Sequence, residues 1–117
     1  MKKRVFLSTT ALAVMALSTS PVFAQDNTFK IGLILPMTGQ QASTGRQVEA
    51  GVRLYMAQNG DMVAGKKVEL IVKDDTSLPD VTKRLAQELV VNDKVNVLAG
   101  FGITPSALAT APIATQS

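Results

Sequence analysis

Phe29-Lys30-Ile31-Gly32-Leu33-Ile34-Leu35, followed at once by Pro36, is the stretch that decides the fold. The run is typical of a buried β-strand, and proline cannot donate the hydrogen bond that would continue it. Two further apolar runs follow along the chain, separated by stretches with helical patterns and helix-capping residues. Strands that alternate with helices predict βαβ units, so the expected fold class is α/β with a parallel sheet.

The helix after this strand is expected from about Gly45 to Gln58. Thr44 with Gln47 three residues later fits a capping box at its start. Its apolar face is expected at Val48, Val52, Tyr55 and Met56.

The second strand is expected from Lys67 to Lys73, half buried and near an edge because apolar and polar residues alternate along it. Ser77 is expected to cap the next helix, with Pro79 and Asp80 in its first turn. The buried stripe of that helix is predicted to contain Val81, Leu85, Leu89 and Val91. A third strand, Val95 to Ala99, is more continuously apolar, which predicts a central position in the intact fold. The last helix is expected from Thr104 to about Ala114.

Residues 1–24 are predicted to be a secretory signal peptide. Lys2, Lys3 and Arg4 precede a short apolar segment, and Val22-Phe23-Ala24 offers small residues for cleavage before Gln25. A membrane anchor is the alternative, but a segment of roughly 13 residues is shorter than the ~20 needed to span a bilayer. We therefore expect a secreted protein, periplasmic in a Gram-negative source.

Composition excludes several classes of function. Three of the 12 Lys and Arg precede Gln25, so nine remain to balance the 9 Asp and Glu, and no basic stripe points to nucleic acid or to an anionic membrane. The chain has no Cys and no His, so it offers neither a catalytic triad that uses them nor the common zinc sites. No cofactor motif is present either, because no G-x-G-x-x-G follows the first strand.

A binding site is expected where the parallel strands end. Three loops meet at that edge, namely residues 36–44, 74–77 and 100–104. Ligands bind there in open α/β sheets, beside helix N-termini that favour anions. The Thr104 hydroxyl, with nearby backbone N–H groups, is the sharpest candidate for holding a carboxylate. The alternative is that Thr104 only caps its helix.

Asp74 and Asp75 form an adjacent acidic pair at the end of the second strand. Such a pair suggests a metal or phospho-acceptor site, but in signalling receiver domains the pair follows the first strand. A solvated strand end with a turn-forming Asp is the preferred interpretation. Arg46 and Arg53 are interpreted as solvated charges on a helix face.

Three segments together resemble the opening of the substrate-binding proteins of branched-chain amino acid ABC transporters. They are residues 29–39, Ala42-Ser43-Thr44-Gly45, and Gly65 to Leu70 with Asp74-Asp75. The resemblance implies a type I periplasmic binding protein, in which two flavodoxin-like α/β lobes close over a solute and deliver it to a membrane permease. Residues 25–117 would be an incomplete N-terminal lobe, since family members run to several hundred residues. An enzyme of flavodoxin-like architecture and an autonomous small secreted module are the alternatives.

The resemblance also implies ligand-binding positions. The family's hydroxyl pair that binds the solute carboxylate falls on Ile103 and Thr104, and an often aromatic loop position falls on Thr44. Phe101 would supply an apolar wall of the ligand site, and the alternative is that it packs in the core. Gly102 lies in the same loop. Ile103 and Thr44 differ from the residues usual at these positions in the family. The solute therefore stays open among amino acids, amides and aromatic carboxylates.

Overall fold

The computed structural model describes residues 27–116, so the predicted signal peptide lies outside the described residues. Four strands and three helices follow one another within these described residues. They are β1 (Thr28–Leu35), α1 (Ala42–Asn59), β2 (Met62–Val63), β3 (Lys66–Asp74), α2 (Pro79–Val91), β4 (Val97–Gly100) and α3 (Thr104–Gln116). None of the helices within 27–116 has the length and apolar character needed to cross a membrane.

The sheet has the strand order β2-β3-β1-β4. β1 pairs in parallel with β3, from Thr28 opposite Lys67 to Leu35 opposite Asp74. It also pairs in parallel with β4, from Ile31 opposite Val97 to Ile34 opposite Gly100. The predicted parallel α/β sheet is therefore present, with the first strand at its centre.

β2 is a short strand that the sequence analysis missed. It pairs antiparallel with the start of β3. Ala64 and Gly65 join the two strands with φ values of 50° and 77°. Two successive left-handed residues match the right-handed twist of a tight hairpin. β2 thus forms the edge of the sheet and β3 lies next to it, in agreement with the predicted position near an edge.

β4 begins two residues later than predicted and lies at an edge of the described sheet. The Val95 N–H group donates to the Leu89 carbonyl at the end of α2 instead of joining the sheet ladder, and the Asn96 N–H group donates to the Lys30 carbonyl. The central position expected in the intact fold stays a prediction, because the residues up to 116 place nothing beyond β4.

The core lies between the sheet and α2. Ile34 contributes from β1, and Leu85, Ala86 and Leu89 contribute from α2. With Thr82, the buried α2 positions are spaced three and four apart, which places them on one helical face. Val91, predicted to be buried, is 68% exposed because it falls outside that spacing.

Both predicted helix caps were wrong. α1 begins at Ala42 after Gln41, so Thr44 lies inside its first turn. α2 begins at Pro79 after Leu78, and no side chain caps it, so Ser77 is not the cap. The predicted apolar face of α1 is also largely uncovered within residues 27–116, with Tyr55 67% exposed.

The two crossover connections run in opposite directions across the sheet. The α1 connection leads from β1 to β3, and the α2 connection leads from β3 past β1 to β4. Because parallel crossovers are right-handed, α1 and α2 lie on opposite faces. A crevice therefore forms at the carboxyl ends of β1 and β4, where the chain leaves towards different faces.

Candidate functional site

The candidate site is the edge at which β1, β3 and β4 end, called the rim below. Its loops are residues 36–41 after β1, 75–78 after β3 and 101–103 after β4. The loops after β1 and β4 lead directly into α1 and α3, so the N-termini of two helices reach the crevice between these strands.

Pro36 is the point on which the rim packs. It is fully buried. A Cβ atom on Gly45 would collide with the Pro36 carbonyl oxygen, and a Cβ atom on Gly102 would lie 2.6 Å from Pro36 Cγ. Only glycine allows such an approach at these two positions. The first turn of α1 and the loop before α3 therefore both rest on Pro36.

Unpaired N–H groups remain at both helix N-termini. In α1, the Ala42 and Gly45 N–H groups donate to the Gly39 and Gln41 carbonyls. In α3, Pro105 has no N–H group, and the Ala107 N–H group donates to the Ile103 carbonyl at 3.4 Å. Within residues 27–116 no acceptor is bound to the first-turn N–H groups of the exposed residues Ser43, Thr44 and Thr104. Such groups, with the positive ends of two helix dipoles, favour an anion.

Asp74 fastens the loop after β1 to the loop after β3. The Met37 and Thr76 N–H groups each donate to its Oδ1 atom at 2.9 Å, and the Thr38 hydroxyl donates to its Oδ2 atom at 2.6 Å. Burial acts to raise the pKa of Asp74, but these hydrogen bonds favour the carboxylate, so its pKa is lowered overall. Asp74 therefore braces the rim as an anion.

Asp75 is not solvated, contrary to the sequence interpretation. It is 1% exposed, and its carboxyl group accepts the Ser77 N–H at 3.0 Å and lies 2.7 Å from the Thr82 hydroxyl. Thr76 and Ser77 follow with φ values of 52° and 64°, a tight turn that folds the carboxyl group back under the loop. Residues 27–116 contain no cluster of three or more acidic side chains able to hold a metal ion.

The structure separates the predicted site residues into two groups. Thr44, Gly102 and Thr104 are exposed at the rim, and Ile103 is half buried beside them. Thr104 is the first residue of α3. The carbonyl that accepts the first helical hydrogen bond belongs to Ile103, so Ile103 occupies the N-cap position and Thr104 is not the cap. Phe101 is different. It has a φ of 70°, its N–H group donates to the Ile34 carbonyl at 2.8 Å, and its side chain packs against the core.

The supporting residues of the rim were missed by the sequence analysis. Pro36 was interpreted only as a strand end, and Asp74 only as a turn residue. A helical glycine such as Gly45 was the available signal, because glycine inside a helix is unfavourable unless close packing requires it. No comparable local signal marks Asp74, whose partners Met37 and Thr38 are 36 or more residues away in sequence.

Two concave surfaces lie away from the rim. One, of about 220 Å³, is formed mainly by residues 95–98 with Val90 and Ala114. The other, of about 370 Å³, is apolar and lined by residues of β1, β3 and the hairpin, including Phe29 and Val63. Neither includes a residue of the rim loops.

A family model described as "Periplasmic binding protein" matches residues 28–117. The chain therefore belongs to the periplasmic binding protein family, whose members are transport components and not enzymes. The predicted family resemblance and the flavodoxin-like, type I fold class are confirmed.

Individual relatives agree with this assignment. The chain is 42% identical over 111 residues to the Leu/Ile/Val-binding protein homolog 6 of Brucella abortus (strain 2308), an alignment that covers 94% of this chain and 28% of the relative. It is 69% identical, with a TM-score of 0.76, to a solute binding protein of an ABC transporter from Rhodopseudomonas palustris BisB5 solved in complex with 3,4-dihydroxybenzoic acid. That match covers 77% of this chain and 25% of that one.

A further solved structure is the solute binding protein of an ABC transporter from Rhodopseudomonas palustris HaA2 in complex with p-hydroxybenzoic acid. It is 40% identical with a TM-score of 0.72, and covers 76% of this chain and 24% of that one. The chain thus spans about a quarter of the length of the proteins it matches.

Proposed function

We propose that residues 25–117 form part of the N-terminal lobe of an extracytoplasmic solute-binding protein that delivers a small carboxylate to an ABC transporter permease. The observation that supports this most is the convergence of the α1 and α3 N-termini on Pro36, with unpaired N–H groups at both. Family membership supports the transport role, and the site geometry supports an anionic group on the solute.

The carboxylate would be held at the start of α3. The N–H group and the hydroxyl of the exposed Thr104 are donors there, while Ile103 presents apolar surface. Hydrogen bonds to a charged acceptor are stronger than neutral ones, particularly once water is excluded. In this family fold a second lobe would exclude the water by closing over the rim.

An aromatic carboxylate is the solute class that we propose first. The structure that is 69% identical holds 3,4-dihydroxybenzoic acid, and the one that is 40% identical holds p-hydroxybenzoic acid. An amino acid would also need a partner for its ammonium group. On this lobe the carboxylates of Asp74 and Asp75 are already engaged by their own loops. A branched-chain amino acid is the second candidate, supported by the name of the Brucella relative.

Calorimetric titration of the full-length protein tests the solute. The probes are 3,4-dihydroxybenzoate, 4-hydroxybenzoate and leucine, with benzyl alcohol as an aromatic compound that lacks the carboxylate. We expect the two benzoates to bind and benzyl alcohol not to bind. Binding of leucine alone would favour the second candidate, and binding of benzyl alcohol as tightly as the benzoates would contradict a carboxylate site.

Thr104→Ala tests the proposed donor. We expect solute binding to weaken by about 1–3 kcal/mol, the cost of losing a hydrogen bond to a charged group. Because Thr104 is not the cap, the free energy of unfolding should change by less than about 0.5 kcal/mol, as for other surface substitutions. Thr115→Ala, an exposed Thr at the other end of α3, is the control. Equal affinities of the two variants would leave the backbone N–H groups as the donors of this lobe.

The periplasmic location is proposed together with the signal peptide. We expect the exported protein to begin at Gln25, because Val22-Phe23-Ala24 offers the cleavage pattern. N-terminal sequencing and intact mass of the periplasmic fraction measure this. Exported protein that still begins at Met1 would show that residues 1–24 are not removed.

A further inference from the structure

Three buried polar side chains link the end of β3 to the start of α3. They are Asp75, Thr82 and Ser106, with exposed fractions of 1%, 0% and 0%. Thr82 Oγ1 lies 2.7 Å from Asp75 Oδ2 and 2.8 Å from Ser106 Oγ. We call these three residues the polar bridge. It passes through α2, since Thr82 lies in the first turns of that helix.

The Asp75 end of the polar bridge is fixed to the sheet. The Asp75 N–H group donates to the Leu35 carbonyl at 3.1 Å, and its second carboxyl oxygen accepts the Ser77 N–H group. Thr82 is held in place as well, because its hydroxyl oxygen also lies 2.9 Å from the Leu78 carbonyl oxygen. Both therefore keep a constant position relative to the ends of β1 and β3.

The Ser106 end belongs to the first turn of α3. Thr104 and Pro105, which precede it, are exposed at the rim. Ser106 is thus the first residue of α3 that is buried, and its side chain joins the helix start to the rest of the lobe. A buried polar group left without a partner is costly, so the three side chains hold one another in a single arrangement.

We propose that the polar bridge is a positioning device that holds the N-terminus of α3 in the orientation that binds the solute. This inference rests on the proposed function, because it concerns the same helix start, whose exposed donors are the N–H group and the hydroxyl of Thr104. Asp75 and Thr82 act through Ser106 and do not touch the solute. They are positioning residues, and their side chains should influence affinity from beneath the site.

Thr82→Val is the principal variant, because it keeps the shape of the side chain and removes the hydroxyl that joins the other two groups. Thr110→Val is the matched control. Thr110 is 2% exposed, but its hydroxyl bonds only to the Ser106 and Ala107 carbonyls of its own helix. Both variants bury a valine in place of a threonine, and only Thr82→Val breaks the polar bridge. Thr82→Ser restores the hydroxyl and serves as the rescue.

The full-length variants are titrated with 3,4-dihydroxybenzoate, 4-hydroxybenzoate and leucine well below their unfolding temperatures. We expect Thr82→Val to bind about tenfold more weakly than Thr110→Val, the equivalent of one buried hydrogen bond, and Thr82→Ser to recover most of the loss. If Thr82→Val does not fold, Ser106→Ala decides, since it removes the far end of the polar bridge and keeps the backbone N–H group. Equal affinities in the bridge and control variants would overturn the inference.

NMR signals of the Thr104 and Ser106 amides in the solute-free protein separate this inference from the proposed function. Both should shift in Thr82→Val and return in Thr82→Ser, and they should stay in place in Thr110→Val. If the unmodified protein binds none of the three probes, the proposed solute classes are wrong, while the amide signals still report whether the polar bridge orients α3. Unmoved amide signals in Thr82→Val would overturn the inference whatever the probes do.

Discussion

At the scale of single residues, Asp74 and Asp75 show how two adjacent carboxyl groups acquire different tasks. Asp74 accepts hydrogen bonds across two loops of the rim. Asp75 points inward and joins two helices through Thr82 and Ser106. Neighbouring residues of a strand point to opposite sides, so the alternation that continues past β3 separates the two side chains.

The lowered pKa of Asp74 predicts acid sensitivity at the rim. A carboxyl group whose pKa is lower in the folded than in the unfolded state stabilises the folded protein at pH values above its unfolded-state pKa, near 3.8. This stabilisation is lost as the pH falls through the lower pKa of the folded state. Asp74→Asn should therefore be less stable at neutral pH and lose less stability between about pH 5 and about pH 2. Urea unfolding midpoints across this range measure the difference.

Asp61→Asn is the control for this measurement. The Asp61 carboxylate is exposed and lies 4.0 Å from Lys67 Nζ, a weak surface ion pair. Asp61→Asn keeps the hydrogen bonds of Asp74 and should therefore retain the pH dependence that they cause. Parallel profiles for Asp74→Asn and the unmodified protein would mean that the cross-loop hydrogen bonds contribute no pH-dependent stability.

At this scale the sequence predicted which residues lie at the rim, but it did not predict the contacts that hold them in place. Thr104 was placed correctly because the end of a parallel strand and the start of the next helix are marked by Gly100 to Pro105. The burial of Asp75 was missed because its partners, Thr82 and Ser106, come from two different helices. Local sequence carries no information on a contact between elements that only packing brings together.

At the scale of elements, the two glycines of α1 have opposite surroundings. Gly45 lies against the backbone of Pro36, while nothing lies within 4 Å of a Cβ atom placed on Gly51. The first turn of α1 can therefore approach the rim closely only as long as position 45 has no side chain.

We expect Gly45→Ala to destabilise the protein by about 1–3 kcal/mol, because the contact is with backbone that cannot rotate away. Gly51→Ala should instead stabilise it by about 0.5–1 kcal/mol, since alanine loses less backbone entropy in a helix. Chemical unfolding of both variants provides the comparison. A neutral Gly45→Ala would show that α1 can move off Pro36 without cost.

The elements themselves were largely predictable, and their ends were not. Apolar runs marked β1, β3 and β4 because strands buried in a parallel sheet have that composition. Thr44 and Ser77 fitted capping patterns, yet α1 and α2 begin after Gln41 and Leu78. Side-chain capping is one of several ways to satisfy a helix start, and here tertiary contacts of the loops decided where each helix begins.

At the scale of the whole molecule, β4 is an edge strand of the described sheet. Val97 is 42% exposed at this edge. An apolar edge with unpaired backbone groups is a template for pairing with another chain. We therefore expect purified residues 25–117 to self-associate, and size-exclusion chromatography over a range of concentrations measures this.

Val97→Lys should reduce that association, because a charge on an edge strand opposes pairing. Leu54→Lys is the control, since Leu54 is 58% exposed on α1, which has no free strand edge. If both variants lower association equally, the contact is a general apolar one and β4 is not its template. If the unmodified segment stays monomeric and unfolds in a sharp thermal transition, the prediction is contradicted.

The global arrangement followed from the sequence through topology. Three strands separated by helices allow few parallel arrangements once crossovers are right-handed, and each places the strand ends on one rim. The position of β1 between β3 and β4 was not predictable in this way. It depends on which strands pair, and the apolar patterns of the three runs indicate how buried each strand is without specifying its neighbours.

The packing of the rim on Pro36 has a consequence for protein engineering. The residues that support the rim, Pro36, Gly45 and Gly102, are distinct from Thr44 and Thr104, whose side chains face solvent. Under the proposed function, a combinatorial library at positions 44 and 104 would explore new solute specificities while the residues beneath are left intact. In natural divergence the same separation would let transporters acquire different cargoes through few substitutions, with little demand for compensating changes elsewhere in the lobe.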